Sequence, residues 1–200
     1  MFFLGEEKMR KIIVDKKDRT VIYDSEKRIY EKYIRPNFRE KLQIIFGIKR
    51  SHGKNADFLS KLLKDNGIKT YEVVSYTKYS YITKEIEGKT LLDSILENKD
   101  NTELIKEYLN KYIEILKKII NLNLYYGDFY FNNLMIDKNG NICIIDIDEM
   151  EFTLYSKIFK NKKVIPRLKQ TLQIQFDRLK GYGVKIDIDA NYIFNKIITK

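Results

Sequence analysis

Tyr126-Gly127-Asp128-Phe129-Tyr130-Phe131-Asn132-Asn133, then Leu134-Met135-Ile136-Asp137, Lys138-Asn139-Gly140-Asn141 and Ile142-Cys143-Ile144-Ile145-Asp146-Ile147-Asp148, is the stretch on which the fold turns. Leu134–Asp137 and Ile142–Ile147 read as strands, joined by a tight turn whose Asn-Gly pair tolerates positive φ. Ahead of them, Thr102–Asn121 repeats Ile105, Leu109, Tyr112, Ile113, Leu116, Ile119 and Ile120 at helical spacing, with Lys, Glu and Asn between. That periodicity predicts a long amphipathic helix. Asp128 is thereby placed in a loop after a long helix, and Asp146 at the end of an apolar strand reached through a hairpin.

Working outward toward the start, Met9–Asp15 and Thr20–Asp24 are short apolar-rich runs around the turn Lys16-Lys17-Asp18-Arg19. Arg28–Ile34 alternates at period two, with Ile29, Glu31 and Tyr33 on one face and Tyr30, Lys32 and Ile34 on the other. Pro36 ends it. Residues 37–50 are basic and amphipathic, a short helix ending near Gly47. Asn55–Asp65 predicts another, with Phe58, Leu59, Leu62 and Leu63 as its stripe and Asn66-Gly67 as a left-handed cap. Tyr71–Tyr76 and Tyr79–Ile86 read as strands, Glu87-Gly88 as a break, and Thr90–Glu97 as a short helix. Residues 155–200 read as helical and basic, with Pro166 near a helix start and a break at Gly181-Tyr182-Gly183. The expected class is α+β: a β-rich part over 1–87, a mainly helical part over 88–200, and a cleft between two lobes.

Composition narrows the chemistry. The chain has 200 residues, and fifteen Tyr, eleven Phe and only two Pro exclude a disordered tail. One cysteine, Cys143, excludes a disulfide framework or a Cys-rich zinc site, and one histidine, His52, excludes a multi-His metal centre. Cys143 reads as a small core residue and His52 as a surface or helix-start residue. Chemistry must come from Asp, Asn, Lys and backbone. The net charge of +10 fits a codon bias toward Lys, Ile and Asn equally well as an anionic partner such as a nucleotide, an anionic membrane or a nucleic acid. Met1–Gly5 is too short for a signal peptide, and no apolar run approaches the roughly 20 residues that cross a bilayer. The expected location is cytoplasmic.

Asp128, Asn133 and Asp146 are the residue types that phosphoryl transfer needs. That reaction asks the protein mainly for positioning and charge neutralisation. One carboxylate accepts or orients the proton of the attacking hydroxyl. An amide oxygen and a second carboxylate supply hard ligands to magnesium. Read alone, an Asp and an Asn five residues apart could merely brace a loop, and Lys32 could be an edge-strand or solvent-facing residue.

The stretch resembles the protein-kinase-like superfamily. Gly127-Asp128-Phe129-Tyr130-Phe131-Asn132-Asn133 matches the catalytic loop in its Asp-x4-Asn spacing, and Ile144-Ile145-Asp146-Ile147-Asp148 matches the metal-binding segment after the hairpin. Tyr126 stands where small-molecule kinases carry the His of His-Gly-Asp, and Asp146-Ile147-Asp148 replaces Asp-Phe-Gly. Within the superfamily the chain is most similar to bacterial lipopolysaccharide core kinases, which phosphorylate Kdo or heptose. Tyr30-Glu31-Lys32-Tyr33-Ile34-Arg35-Pro36 and Asn66-Gly67-Ile68-Lys69-Thr70 carry that narrower likeness, over residues 20–185.

The resemblance implies a two-lobed fold and an ATP- and Mg2+-dependent kinase. It makes Asp128 the catalytic base, Asn133 and Asp146 the magnesium ligands, and Lys32 the phosphate ligand. Backbone groups of Glu85, Ile86 and Glu87 would meet adenine, and Asp57 is the nearest counterpart of the helix acid that pairs with the lysine. Asp148 stays open between support of the metal site and the surface. No Gly-rich phosphate loop is present; Lys16-Lys17-Asp18-Arg19 occupies its place. The acceptor implied is a sugar of the lipopolysaccharide core or a related anionic glycolipid, because the chain after Asp148 lacks an activation segment with Ala-Pro-Glu. The rival readings are a small atypical protein kinase and an inactive nucleotide-binding pseudokinase scaffold. Nucleic acid is not an expected partner, since no recognised binding signature supports it. Lys157, Lys160, Lys162, Lys163, Arg167 and Lys169 form either a solvated face or a peripheral contact with the inner membrane.

Overall fold

The computed structural model describes residues 9–125, 128–148, 150–152 and 164–198. Tyr126, Gly127 and the lysines at 157, 160, 162 and 163 lie outside the described residues. The fold is α+β. In chain order its strands are β1 (Arg10–Asp15), β2 (Arg19–Asp24), β3 (Ile29–Ile34), β4 (Lys69–Thr70), β5 (Val73–Tyr76), β6 (Ser80–Lys84), β7 (Gly88–Thr90), β8 (Leu124–Tyr125), β9 (Leu134–Asp137), β10 (Ile142–Ile144) and β11 (Glu151–Phe152). The helices are α1 (Phe38–Ile45), α2 (His52–Asp65), α3 (Leu91–Glu97), α4 (Thr102–Asn121), α5 (Ile165–Gly181) and α6 (Ala190–Ile198). Two compact units result: residues up to Leu62 with Tyr71–Glu85, and Leu63–Thr70 with the chain from Ile86 onward.

The first unit is built on a five-stranded antiparallel sheet of order β1-β2-β3-β6-β5. Strand β3 is interior, so Lys32 is not an edge residue; it faces Val21 on one side and Tyr81 on the other. Gly53, in the first turn of α2, lets that helix approach the β5–β6 turn. A Cβ there would lie 2.1 Å from the Thr77 carbonyl oxygen and 2.6 Å from that of Ser80, and backbone cannot yield to it.

The second unit holds a four-stranded sheet of order β4-β10-β9-β7, parallel at β4–β10 and antiparallel elsewhere. Its core centres on α4, where all seven residues of the expected stripe are buried. Burying such side chains contributes about 1.5–3 kcal/mol each, an upper bound because unfolded chains are partly compact. Leu168, Leu172, Phe176 and Leu179 of α5, with Ile193, Phe194 and Ile197 of α6, complete it. Pro166 lies in the first turn of α5, where its missing N–H costs no helical hydrogen bond. Gly67 (φ +66) closes α2 as expected, its amide donating to the Lys64 carbonyl at 2.9 Å. Cys143 is buried in β10, and burial pushes its thiol up to about 11.

Asp137 fixes the β9–β10 turn. Its Oδ1 accepts from the amides of Asn139 at 2.9 Å and Asn141 at 2.8 Å, and its Oδ2 accepts from Lys69 Nζ at 3.2 Å. Burial alone would raise the carboxyl, but the hydrogen bonds from Asn141, Lys69 and Asn139 outweigh it and hold the group at about 2. A depressed folded value means that the carboxylate stabilises fully above the ordinary value of 3.8 and that this stabilisation is lost as pH falls through about 2. Asp137→Asn is therefore expected to lose about 1–2 kcal/mol at neutral pH. It should also flatten the acid limb of the stability curve between about pH 4 and 2, as measured by denaturant unfolding against pH.

Candidate functional site

The candidate site is assembled within the second unit from the loop 128–133 and the end of β10. Residues Phe131–Asn133 form one 3-10 turn, with the Asn133 amide donating to the Tyr130 carbonyl at 2.9 Å. Asn133 Nδ2 reaches back to the Asp128 carbonyl at 3.1 Å. The Asn133 carbonyl accepts from the Ile145 amide at 3.0 Å, directly after the β9–β10 pairing of Leu134 with Ile144. These bonds bring the two ends of the Asp-x4-Asn segment together and set Asp146 one residue from Asn133's backbone partner. The β10 strand stops at Ile144 rather than Ile147: the Ile145–Asn133 bond is the last rung in register, and Asn133 opposite already belongs to the 3-10 turn. The pairing of β8 with β11, Tyr125 opposite Glu151, holds the flanks of the segment together.

Burial divides the loop cleanly. Phe129 and Phe131 are core residues, while Asp128 and Asn133 are partly exposed. Phe131 packs edge-on to Tyr112 with ring centroids 5.1 Å apart, and to Phe176 at 6.5 Å. Asp128 therefore directly precedes an anchored aromatic, Phe129, and is itself partly exposed. Asp146 is also partly exposed. Asp148 is 8% exposed, which excludes the surface reading for it.

Sequence reasoning missed the residue that clamps this loop. Gln175, on α5 and 3% exposed, bridges the loop backbone with both ends of its amide. Its Nε2 donates to the Phe129 carbonyl at 2.8 Å, and its Oε1 accepts from the Phe131 amide. Tyr112 of α4 donates its hydroxyl to the same Phe129 carbonyl at 2.8 Å, and burial pushes its phenol well above the usual range. Each buried backbone group so paired avoids a desolvation penalty. A signal existed: Leu168, Leu172, Gln175 and Leu179 share one helical stripe, and a glutamine on an apolar stripe asks for buried partners.

The donor set suits magnesium in kind. With Nδ2 of Asn133 engaged at the Asp128 carbonyl, Oδ1 is the atom that can face a cation, and Asp146 adds a carboxylate, both hard oxygen ligands. Among the described residues there is no group of three or more His, Cys, Asp or Glu able to hold a metal ion. Asn133 Oδ1 and the Asp146 carboxylate are the two side-chain groups considered as ligands here, and magnesium commonly fills the remainder with water and phosphate oxygens.

The remaining candidates belong to other segments of the chain. Lys32, in the first unit, has its ammonium 6.0 Å from the centre of the Tyr81 ring. Asp57 pairs with Lys61 one turn along α2, at 2.8 Å. The Glu85 carboxylate accepts from Arg28 Nε at 2.8 Å and the Tyr23 hydroxyl at 3.1 Å, and its amide donates to the Arg28 carbonyl at 2.9 Å. With that amide engaged, the carbonyl is the backbone group of Glu85 that an adenine could still meet. Ile86 and Glu87 open the second unit, Glu87 standing 3.5 Å from Lys138 Nζ. Comparison of the chain with protein-family models and with curated protein sequences finds no match.

Proposed function

We propose that the chain is an ATP- and magnesium-dependent phosphotransferase with a two-lobed, kinase-like architecture, acting on a hydroxyl of a lipopolysaccharide-core sugar or a related anionic glycolipid. The observation that carries this reading is the closure of the Asp128–Asn133 segment on itself and on Ile145. It gathers one carboxylate, one amide and the chain leading into Asp146 at partly exposed positions next to buried apolar residues. In this reading Asp128 orients the acceptor hydroxyl and takes its proton, and Asn133 and Asp146 hold magnesium. Lys32 meets the nucleotide phosphates, and the backbone at 85–87 meets adenine. Bound magnesium would neutralise charge on the transferred phosphoryl group. Tyr112 and Gln175 contribute rigidity, keeping Asp128 in place without touching substrate.

The test offers γ-labelled ATP and magnesium to the purified protein with core oligosaccharide as acceptor, and with a casein-like protein in parallel. Label in the sugar alone is the expected result. Label in protein and never in sugar would replace the acceptor with a polypeptide and favour the atypical protein kinase. Tight nucleotide binding without transfer to either would favour the inactive scaffold. No described helix is long and apolar enough to cross a membrane.

A further inference from the structure

Helix α1 and the residues after it carry an apolar stripe that faces solvent. Phe38 is 76% exposed, Ile45 64%, Phe46 71% and Ile48 75%, and α1 has no buried residue at all. At 3.6 residues per turn, Phe38, Leu42, Ile45 and Phe46 fall within an arc of about 100°. Lys41 borders one edge of that arc and Arg39 the other, both exposed. The helix is well formed although none of its residues is fully buried. Asn37 caps it by accepting from the Glu40 amide at 2.9 Å, and Glu40 returns a bond to the Asn37 amide at 3.3 Å. Glu40 is also the acid of this helix that meets Lys49, at 3.3 Å, which leaves the borders of the stripe cationic. Gly47 (φ +70) then turns the chain so that the Ile48 and Lys49 amides both reach the Gln43 carbonyl.

We propose that α1 is an interfacial helix that lays its Phe38–Leu42–Ile45–Phe46 stripe, with Ile48, into the surface of an anionic lipid bilayer. A ridge of large apolar side chains bordered on both sides by long cationic ones is the arrangement that an interface between acyl chains and anionic headgroups accommodates. The apolar groups enter the acyl boundary while Lys41 and Arg39 stay at headgroup level. A second copy of the chain fits poorly, because pairing two such stripes would set Arg39 and Lys41 against their own equivalents. The net charge of +10 adds long-range attraction to the same surface. This inference stands on α1 alone and does not need the phosphotransferase reading.

Sedimentation of the full chain with lipid vesicles tests it. The wild type is expected to pellet with mixed phosphatidylcholine–phosphatidylglycerol vesicles at least about tenfold more strongly than with phosphatidylcholine alone, and to be released by salt. Combining Phe38→Ser, Ile45→Ser and Phe46→Ser should lower binding at least about tenfold with the melting temperature nearly unchanged, since the three side chains are mostly exposed. Each charge near an anionic surface is worth roughly fivefold. Arg39→Glu with Lys41→Glu, both compatible with a helix start, should therefore lower binding to the mixed vesicles by at least about tenfold. Absence of wild-type binding to the anionic vesicles would overturn the proposal, as would binding that survives the triple serine variant. A wild-type dimer that this variant converts to a monomer would overturn it too, by showing that the stripe pairs two copies.

Discussion

Replacing Asp128 with alanine is expected to lower phosphoryl transfer by about 10²–10⁴-fold, the range for loss of a positioned proton acceptor, with almost no change in thermal stability. The two readouts separate because of how the loop is held. Its fixed points are backbone groups: the Phe129 carbonyl, the Phe131 amide and the Asp128 carbonyl that accepts from Asn133. None of them is lost when the Asp128 carboxylate goes. If that carboxylate only braced the loop, the variant would melt earlier and any activity would fall in proportion to the unfolded fraction. Initial rates at saturating nucleotide, beside a calorimetric melt of the same sample, distinguish the outcomes.

Gln175→Leu is expected to have the largest effect on stability. Leucine is of similar size, so little cavity results, but the Phe131 amide is left without its buried acceptor. An orphaned buried donor costs about 1–3 kcal/mol, and denaturant unfolding would read it as a lower midpoint with an unchanged slope. Tyr112→Phe alone should cost about 1 kcal/mol, because Gln175 still serves the Phe129 carbonyl. The two together remove both donors from that carbonyl and should cost more than their sum, a coupling that a double-mutant cycle measures. If the loop is the catalytic one, Gln175→Leu should reduce kcat more than it raises KM, since the clamp positions Asp128 rather than binding substrate.

The parts of this fold that could be read in the sequence are those whose signal is local. Helix α4 declared its buried face through seven apolar residues at helical spacing, and all seven are buried. The β9–β10 hairpin was legible from Asn139-Gly140 between apolar runs, although Asp137, which accepts three hydrogen bonds from Asn139 and Asn141 through Oδ1, was passed over. Strands β4 and β7 were not legible. Lys69–Thr70 pairs in parallel with Cys143–Ile144, and no short-range pattern announces a partner so distant in sequence. Gly88 read as a break, yet it pairs with Asp137 in β7–β9, where a Cβ would lie 2.0 Å from the Ile136 carbonyl oxygen. Glycine there marks close approach of two backbones.

The candidate site was legible in its residue types and less so in its support. Asp128, Asn133 and Asp146 are found on one continuous hydrogen-bonded segment. The clamp from Gln175 comes from a helix more than forty residues away, and only its place on an apolar stripe hinted at it. Asp57, the acid that the resemblance pairs with Lys32, lies on α2 and meets Lys61 four residues along the same helix face through Oδ2 at 2.8 Å.

Magnesium-dependent nucleotide binding, measured by titration calorimetry on the wild type and on Asp146→Asn, tests the proposed site most directly. The expected result is binding of ATP that requires magnesium in the wild type and weakens by at least about tenfold in Asp146→Asn, in line with the loss of a metal-ligating carboxylate, while the variant still unfolds cooperatively. Equal nucleotide affinity with and without magnesium, or an Asp146→Asn variant that binds Mg-ATP as the wild type does, would contradict a magnesium–nucleotide site built on the Asp128–Asp146 segment.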